Sequence, residues 1–375
     1  MIRQLTIVHN RWDTRIWVKQ VSALRDAGLL TAYVVADGEG DALVDGVQIY
    51  DLGPLEGRGF WPRVKLVIRA VCHSGLKRGE ILHFHDALFL PGAIWLKIMG
   101  HRVVYDVHED YPRQVLNWEL PGFIRYGAAV SYTFLEWLAG KIFDGIVAAT
   151  PKIAERFPAS KTVVVQNFPL PNELYCVRAE PYINRPLSVA YVGGISRMRG
   201  IKELVQAMGI LSSKLSARLM LAGSFSPPWL EEVIRKEPGW RNVVFLGWQS
   251  RVNVAKILAS SRIGVVLFHP APNHVNAQPN KLFEYMSAGI PVIASDFPLW
   301  KEIVEGSGCG LLVNPLDPEA IAEAIKWLLE NPEKAETMGK RGRKAIEECY
   351  NWDKESVKLI SFYRKFDRSV IKSRS

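Results

Sequence analysis

The sequence predicts an α/β protein built from two doubly wound domains, each a parallel sheet covered by helices. Three observations predict it. The chain has 375 residues, enough for two separate cores. Short runs rich in Val and Ile alternate with longer segments whose apolar spacing is near 3.6, and this alternation occurs twice. Between the two series, the pattern stops over residues 167–186, where prolines 169, 171, 181 and 186, with Pro158 just upstream, disfavour helices and central strands.

In the first series, residues 5–8, 32–36, 81–84, 102–105, 145–148 and 162–165 read as strands, and 17–26 and 134–142 as helices. In the second, strands are expected at 187–192, 218–222, 243–246, 263–268, 292–294 and 310–313, with helices at 201–211, 228–235, 252–259, 281–288, 298–305 and 318–330. The resulting division is an N-terminal domain over 1–170, a linker over 171–186, a C-terminal domain over 187–351, and a helix over 352–375 that packs back on the N-terminal domain. That tail becomes basic at 364–368. Two similar halves predict a ligand cleft, with ligands beyond the strand C-termini and near helix N-termini.

Lysine and arginine outnumber the acids 47 to 38, a net charge of +9, which points to an anionic partner. No zinc finger, aromatic RNP-type motif or basic arm is present, so nucleic acid is the weakest such partner; a phosphorylated substrate and an anionic membrane surface remain. Segments 63–71 and 123–126 mix cations with apolar residues in the manner of a peripheral membrane contact. The four cysteines have no C-x-x-C spacing, which argues against both metal ligation and a disulfide framework. The first residues lack the long apolar run of a signal peptide, and apolar stretches fall short of a spanning helix, so a cytoplasmic location is expected.

Two motifs carry the chemistry. Tyr191 to Gly194 (YVGG) leads into Arg197, Arg199 and Gly200 and then a helix. Gly193 and Gly194 allow a ligand close to the backbone, the helix start offers free N–H groups, and the two guanidinium groups suit a diphosphate. The second motif, PNKLFEYMSAGIPVIAS, enters a helix at Asn280, Lys281 and Leu282 and places Glu284 one turn in, where its carboxylate can accept hydrogen bonds from a ribose diol. Trp248, after a third expected strand, is a candidate to lie against a base. No G-x-G-x-x-G follows the first strand, which argues against a dinucleotide oxidoreductase.

The order YVGG, R-x-R-G, FLG, PNKLFEYMSAGIPVIAS resembles the retaining glycosyltransferases of family 4 (glycosyl transferases group 1). The resemblance implies a GT-B fold, two Rossmann-like domains with parallel sheets facing across a cleft. It also implies transfer of a sugar from a nucleotide-sugar, UDP- or GDP-linked, to a glycan or lipid-linked acceptor, as in cell-surface polysaccharide synthesis, with no cofactor. In the family an arginine and a lysine grip the donor diphosphate; Arg197 matches the first and Arg199 stands in place of the lysine. Two glutamates separated by seven residues hold sugar and ribose. Glu284 matches the second, but the first falls on Asn276, a departure that leaves an amide where the family has a carboxylate. No D-x-D metal motif is present, in keeping with metal-independent members. Another GT-B sugar-nucleotide enzyme, such as a 2-epimerase, or a non-catalytic relative, is the alternative.

The N-terminal half resembles the acceptor domain of the same branch. HFHD (83–86) and YDVHEDYPRQ (105–114) each follow an expected strand. His108 matches the family histidine beside the transferred sugar, and His85, Glu109 and Asp110 are acceptor-side candidates. In the first loop, Asp13 is a further acceptor-side candidate or a helix cap, and Arg15 is a candidate to meet the diphosphate.

Overall fold

The computed structural model of the chain describes residues 1–57, 59–116, 120–176, 179–212, 215–272 and 274–372; the side chains of 367–372, including the basic end of the tail, lie outside the description, as do residues 177 and 178 of the expected linker. The chain divides into two compact units, Met1–Asn167 with Lys354–Ser375, and Phe168–Asp353.

The first unit holds an eight-stranded sheet. Its strands are β1 (Ile2–Leu5), β2 (Leu30–Val35), β3 (Ala42–Val44), β4 (Val47–Asp51), β5 (Ile81–Phe84), β6 (Arg102–Val107), β7 (Gly145–Ala148) and β8 (Thr162–Val164), in the order β3-β4-β2-β1-β5-β6-β7-β8. All neighbours pair in parallel except β3 and β4. That hairpin turns on Asp45-Gly46, both at positive φ (49° and 77°), the pair that a tight two-residue turn requires. The search for apolar runs missed both strands: β3 is three residues long at the edge, and β4, between β3 and β2, interleaves Val47 and Ile49 with Gln48 and Tyr50.

The expected first strand, 5–8, is displaced. The pairing runs over Ile2–Leu5, where Arg3 and Gln4 are buried. Arg3 is neutralised by Glu80 at 3.0 Å, and Gln4 is consumed by two histidines, so two polar residues occupy a central strand that an apolar run does not mark. The expected helix 17–26 begins earlier, at Thr14, through wide π-type turns over Thr14–Val21 that pass into the α-helix Ser22–Asp26. The helix expected at 134–142 is the end of a longer one, Gly122–Ile142.

Each sheet face has its own cover. Side chains of Leu5, Val34, Phe84, Tyr105 and Ile146 pack under helices Phe60–His73, Leu90–Ile98 and Gly122–Ile142. On the opposite face Tyr33, Val35 and Ile49 pack on Ile16, Trp17 and Val21. The C-terminal helix, Trp352–Lys372, joins the first unit through Tyr363, fully buried and bonded to His83.

The second unit holds six parallel strands: β9 (Ser188–Val192), β10 (Arg218–Ala222), β11 (Val243–Gly247), β12 (Ile263–Val266), β13 (Val292–Ser295) and β14 (Gly310–Val313). Their order is β11-β10-β9-β12-β13-β14, the arrangement in which connections reverse direction between β9 and β12. The segment expected as a linker packs on this unit, with Leu174 and Tyr182 buried in its cores, as is Phe168 just before it. The helix Pro332–Glu348 carries no large-residue periodicity. Its inward face is Ala335, Gly339, Gly342 and Ile346, and the small residues among them let it lie close to the helix Asn280–Ser287.

At the switch point, β9 and β12 pair only at Ile263–Val189 and Gly264–Ala190 and then separate. Beyond the split, the Val192 N–H donates to the hydroxyl of Tyr285 at 3.0 Å, so the helix Asn280–Ser287 supplies what a strand would have supplied. Gly264 makes this approach possible, because a Cβ there would lie inside the Tyr285 ring. Gly264→Ala is expected to destabilise the unit by about 1–3 kcal/mol through overpacking, seen as a fall of several degrees in the thermal midpoint. An unchanged midpoint would show that the ring is not held where it stands.

Candidate functional site

The ligand-bearing positions of the second unit gather at this switch point. Gly193 follows β9 with φ +104°, a conformation that favours glycine, and a Cβ there would stand 3.0 Å from Cε of Lys281 and 3.7 Å from its amine. The Arg197–Arg199 turn closes at Gly200 (φ 69°), which begins the helix Ile201–Leu211 and whose missing Cβ leaves room for the Leu267 carbonyl. His269 N–H donates to the Met198 carbonyl at 2.9 Å and ties this turn to the loop after β12.

Lys281 is the unusual member. It is 8% exposed, and its amine lies 3.6 Å from the Tyr191 ring centroid with no hydrogen-bond partner. Burial pushes its pKa well below the ordinary lysine value, Arg199 adds to that, and Glu284 opposes it. Arg199 lies over the Phe268 ring and donates to the Gly194 carbonyl at 3.1 Å, while Arg197 is exposed. Gly193, Arg199 and Lys281 thus form one cationic pocket floor, and the start of Asn280–Ser287 adds a helix dipole to it.

Glu284 stands in the same helix, but one of its oxygens is taken by Arg251 at 2.7 Å, and Arg251 also grips Glu173 at 2.6 and 2.9 Å. Arg251 and Glu173 were not legible as site residues; no motif marks them. Leu282 points into the core, Asn280 and Asn276 are exposed, and Trp248 stands 75% exposed after the edge strand β11.

The candidates of the first unit meet around Asp106, at the end of β6 and fully buried. Arg15 donates to both its oxygens, at 3.2 and 2.7 Å, and Gln20 donates as well. His108 Nε2 lies 3.0 Å from Asp106 and 3.1 Å from His85 Nδ1. Burial alone would raise the Asp106 carboxyl. Arg15 first, then His108 and His83, outweigh it and hold the group well below the usual carboxylate range. His83 and His85 are both shifted down by burial.

Gln4 bridges two histidines. Its Oε1 accepts from His85 Nε2, and its Nε2 donates to His83 Nδ1. His85 Nδ1 also lies 3.2 Å from Asp106 Oδ2, so the two rings and the carboxylate form one close triangle. The His108 side chain is 16% exposed, whereas those of His83 and His85 are fully buried. His83, His85 and Asp106 have ligand atoms close enough to hold a metal. The chemistry of the set favours hydrogen bonding instead, since Arg15 already places a fixed positive charge on the carboxylate.

The structure gives several of these candidates partners within the unit. Arg15 is buried and donates also to the Val165 carbonyl, so its guanidinium is spent inside the unit and does not reach for a diphosphate. Asp13 caps the helix after it, accepting from the N–H groups of Arg15 and Ile16. Asp110 caps Tyr111–Val115 and pairs with Arg156 at 3.0 Å, while Glu109 is exposed. His83, Gln4, Gln20 and Tyr363 belong to the cluster unannounced; only the HFHD string pointed near them.

Comparison with known proteins agrees with this geometry. Residues 179–345 match the family described as Glycosyl transferases group 1. The capsular polysaccharide biosynthesis glycosyltransferase CapM of Staphylococcus aureus is 27% identical over 238 residues, covering 62% of this chain and 60% of that protein. An uncharacterized glycosyltransferase of Methanocaldococcus jannaschii is 27% identical over 177 residues, 47% of this chain and 44% of that one. The chain spans about half the length of the curated relatives it matches. Among solved structures, sucrose-phosphate synthase from Thermosynechococcus elongatus is similar with a TM-score of 0.79 at 20% identity, over 98% of this chain and 99% of that one. Anabaena HepE in complex with UDP is similar with a TM-score of 0.69 at 16% identity, over 97% and 99%. Fold and family model converge: the two Rossmann-like units have the GT-B fold, and residues 179–345 match the glycosyl transferases group 1.

Proposed function

We propose that the protein is a retaining glycosyltransferase that takes a sugar from a UDP- or GDP-linked donor and places it on a glycan or lipid-linked acceptor. One observation carries the reading: a buried lysine amine without a hydrogen-bond partner lies against the Gly193 backbone, with Arg199 close by, at the strand switch point. An anion is the ligand that such a group lacks, and a nucleoside diphosphate satisfies amine, guanidinium groups and helix N–H groups together.

In this reading Arg197, Arg199 and Lys281 hold the diphosphate and stabilise the charge that develops as the glycosidic bond breaks. No metal is required for that role. The free oxygen of Glu284 receives the ribose, with Arg251 fixing the carboxylate. Asn276 offers hydrogen bonds to the sugar without charge. On the acceptor side stands His108, oriented by His85 and Asp106. The departing phosphate takes the acceptor proton in a front-face displacement, and product assays separate this from epimerisation, which needs no acceptor.

Calorimetry with UDP, GDP, ADP and dTDP tests the donor assignment directly; absence of binding by all four would refute it. Lys281→Met is expected to weaken nucleotide binding roughly 10- to 100-fold, the worth of a charge-assisted hydrogen bond. The same change should raise the thermal midpoint of the free protein, because it removes an unanswered buried charge. A variant that loses stability and keeps affinity contradicts the role. Arg197→Ala should lower kcat by about 100-fold or more, measured as transfer at saturating donor; near-normal turnover would remove it from the mechanism.

The pH dependence follows from the sign of the Lys281 shift. Its folded-state value lies below the ordinary 10.5, so the unfolded chain binds more protons and the free protein gains stability as pH rises between the two values. A bound diphosphate reverses the shift. Nucleotide binding should therefore take up a proton at pH values above the depressed pKa, detected as a dependence of binding heat on buffer ionisation enthalpy. Heats that do not vary with buffer up to pH 10 would contradict this.

A further inference from the structure

The helix layer over one face of the first sheet presents an apolar surface to solvent. On Gly122–Ile142 the exposed positions Phe123, Tyr126, Val130, Phe134 and Trp137 follow one another by three or four residues, a single stripe along a helix about 31 Å long. The neighbouring helix Leu90–Ile98 exposes Trp95 and Ile98 and is followed by exposed Met99; the next, Phe60–His73, exposes Phe60, Trp61 and Ile68. All three bury their other faces in the same core, so these stripes share one outward surface. A water-facing layer of this kind is far outside the ordinary scatter of surface apolar residues.

Charge selects the partner. The three helices carry Arg63, Lys65, Arg69, Lys97, Arg125 and Lys141 against a single carboxylate, Glu136. Glu136 is 2% exposed and paired with Arg156, so it contributes nothing to the surface field. Lys97 is paired with Asp144; the other five cations have no carboxylate partner among the described residues. Lys141 lies over the Trp137 ring at the end of the stripe, an arrangement of aromatic and cation suited to the headgroup level of a bilayer. No helix among the described residues is long and apolar enough to cross a membrane.

We propose that this face, made by helices Phe60–His73, Leu90–Ile98 and Gly122–Ile142, lies on the surface of an anionic lipid bilayer, with the aromatic stripe in the headgroup region and the cations over lipid phosphates. A second copy of the chain is the poorer occupant. Self-association through this face would bring Arg63, Lys65 and Lys141 toward their own copies with no acid to answer them, whereas anionic headgroups neutralise them. The inference does not rest on the donor chemistry proposed above. It goes further than the two basic–apolar segments of the sequence, since the full stripe from 123 to 141 and the helix Leu90–Ile98 emerge only in the folded unit.

The test is cosedimentation of the full chain with vesicles of phosphatidylglycerol and of phosphatidylcholine at low salt. Binding to phosphatidylglycerol vesicles is expected, with neutral vesicles and high salt each weakening it about tenfold or more. The exposed double variant Phe134→Ser, Trp137→Ser should lose about tenfold or more in vesicle affinity, with circular dichroism and nucleotide affinity unchanged. Lys65→Glu with Lys141→Glu should weaken binding to anionic vesicles and leave the weak neutral binding as it is. No sedimentation with phosphatidylglycerol vesicles at low salt overturns the proposal. So does a wild-type dimer in analytical ultracentrifugation that the serine double variant converts to monomer. Nucleotide calorimetry on the same preparations keeps a failure here distinct from a failure of the donor assignment.

Discussion

A lysine amine buried without a hydrogen-bond partner organises the second unit. The Lys281 amine is enclosed by Tyr191 and the Gly193 backbone, and the helix that carries it is held against the sheet by the Tyr285 hydroxyl. Keeping an ammonium out of water is costly unless something answers it. The surrounding geometry explains why the group persists there: glycine at 193 keeps the approach open, glycine at 264 lets the helix come close, and the split between β9 and β12 makes the opening. Each feature is unfavourable or neutral for stability alone. In the proposed reading they form a place for an anion at the topological switch point, where α/β sheets generally bind ligands.

The first unit solves the opposite problem. Asp106 is just as deeply buried, but its charge is answered in full by Arg15, Gln20 and the histidines. The result is a rigid polar core within an otherwise apolar sheet, reaching through Gln4 and His83 to Tyr363 of the C-terminal helix. What it exports is orientation: His108, the partly exposed member, is held by His85 and Asp106. Buried polar networks of this kind specify geometry more than they add stability. The contrast between an answered carboxylate and an amine without a hydrogen-bond partner is the main chemical difference between the two units.

The same sheet that carries the polar cluster also carries the apolar helix layer on its other face. Alternation along β1, β5 and β6 explains the separation. Residues such as Leu5, Phe84 and Tyr105 project toward the helices, while Gln4, His83 and Asp106 project the other way. A period of two therefore lets one strand build a polar cluster and an apolar core at once. The outer surface of the helix layer is independent of both, and its composition is set by what it meets outside the molecule.

Much was legible from local pattern. The doubly wound class, most strands of the second unit and the gathering of Gly193, Arg199, Lys281 and Glu284 near one switch point follow from periodicity, glycine placement and helix-start chemistry, all properties of adjacent residues. The hairpin at Asp45-Gly46 also had its signal in the sequence, though its strands carry no long apolar run. What only the tertiary structure decided are pairings between residues far apart in the chain. Arg15 is drawn inward because Asp106, 91 positions away, is buried beside it. Asp110 becomes a cap and an ion-pair partner through Arg156, and Gln4 joins the cluster because β1 happens to lie beside β5. A sequence states which groups are present and what their near neighbours allow; burial and opposite charge across the fold determine which of those groups remain available to a ligand.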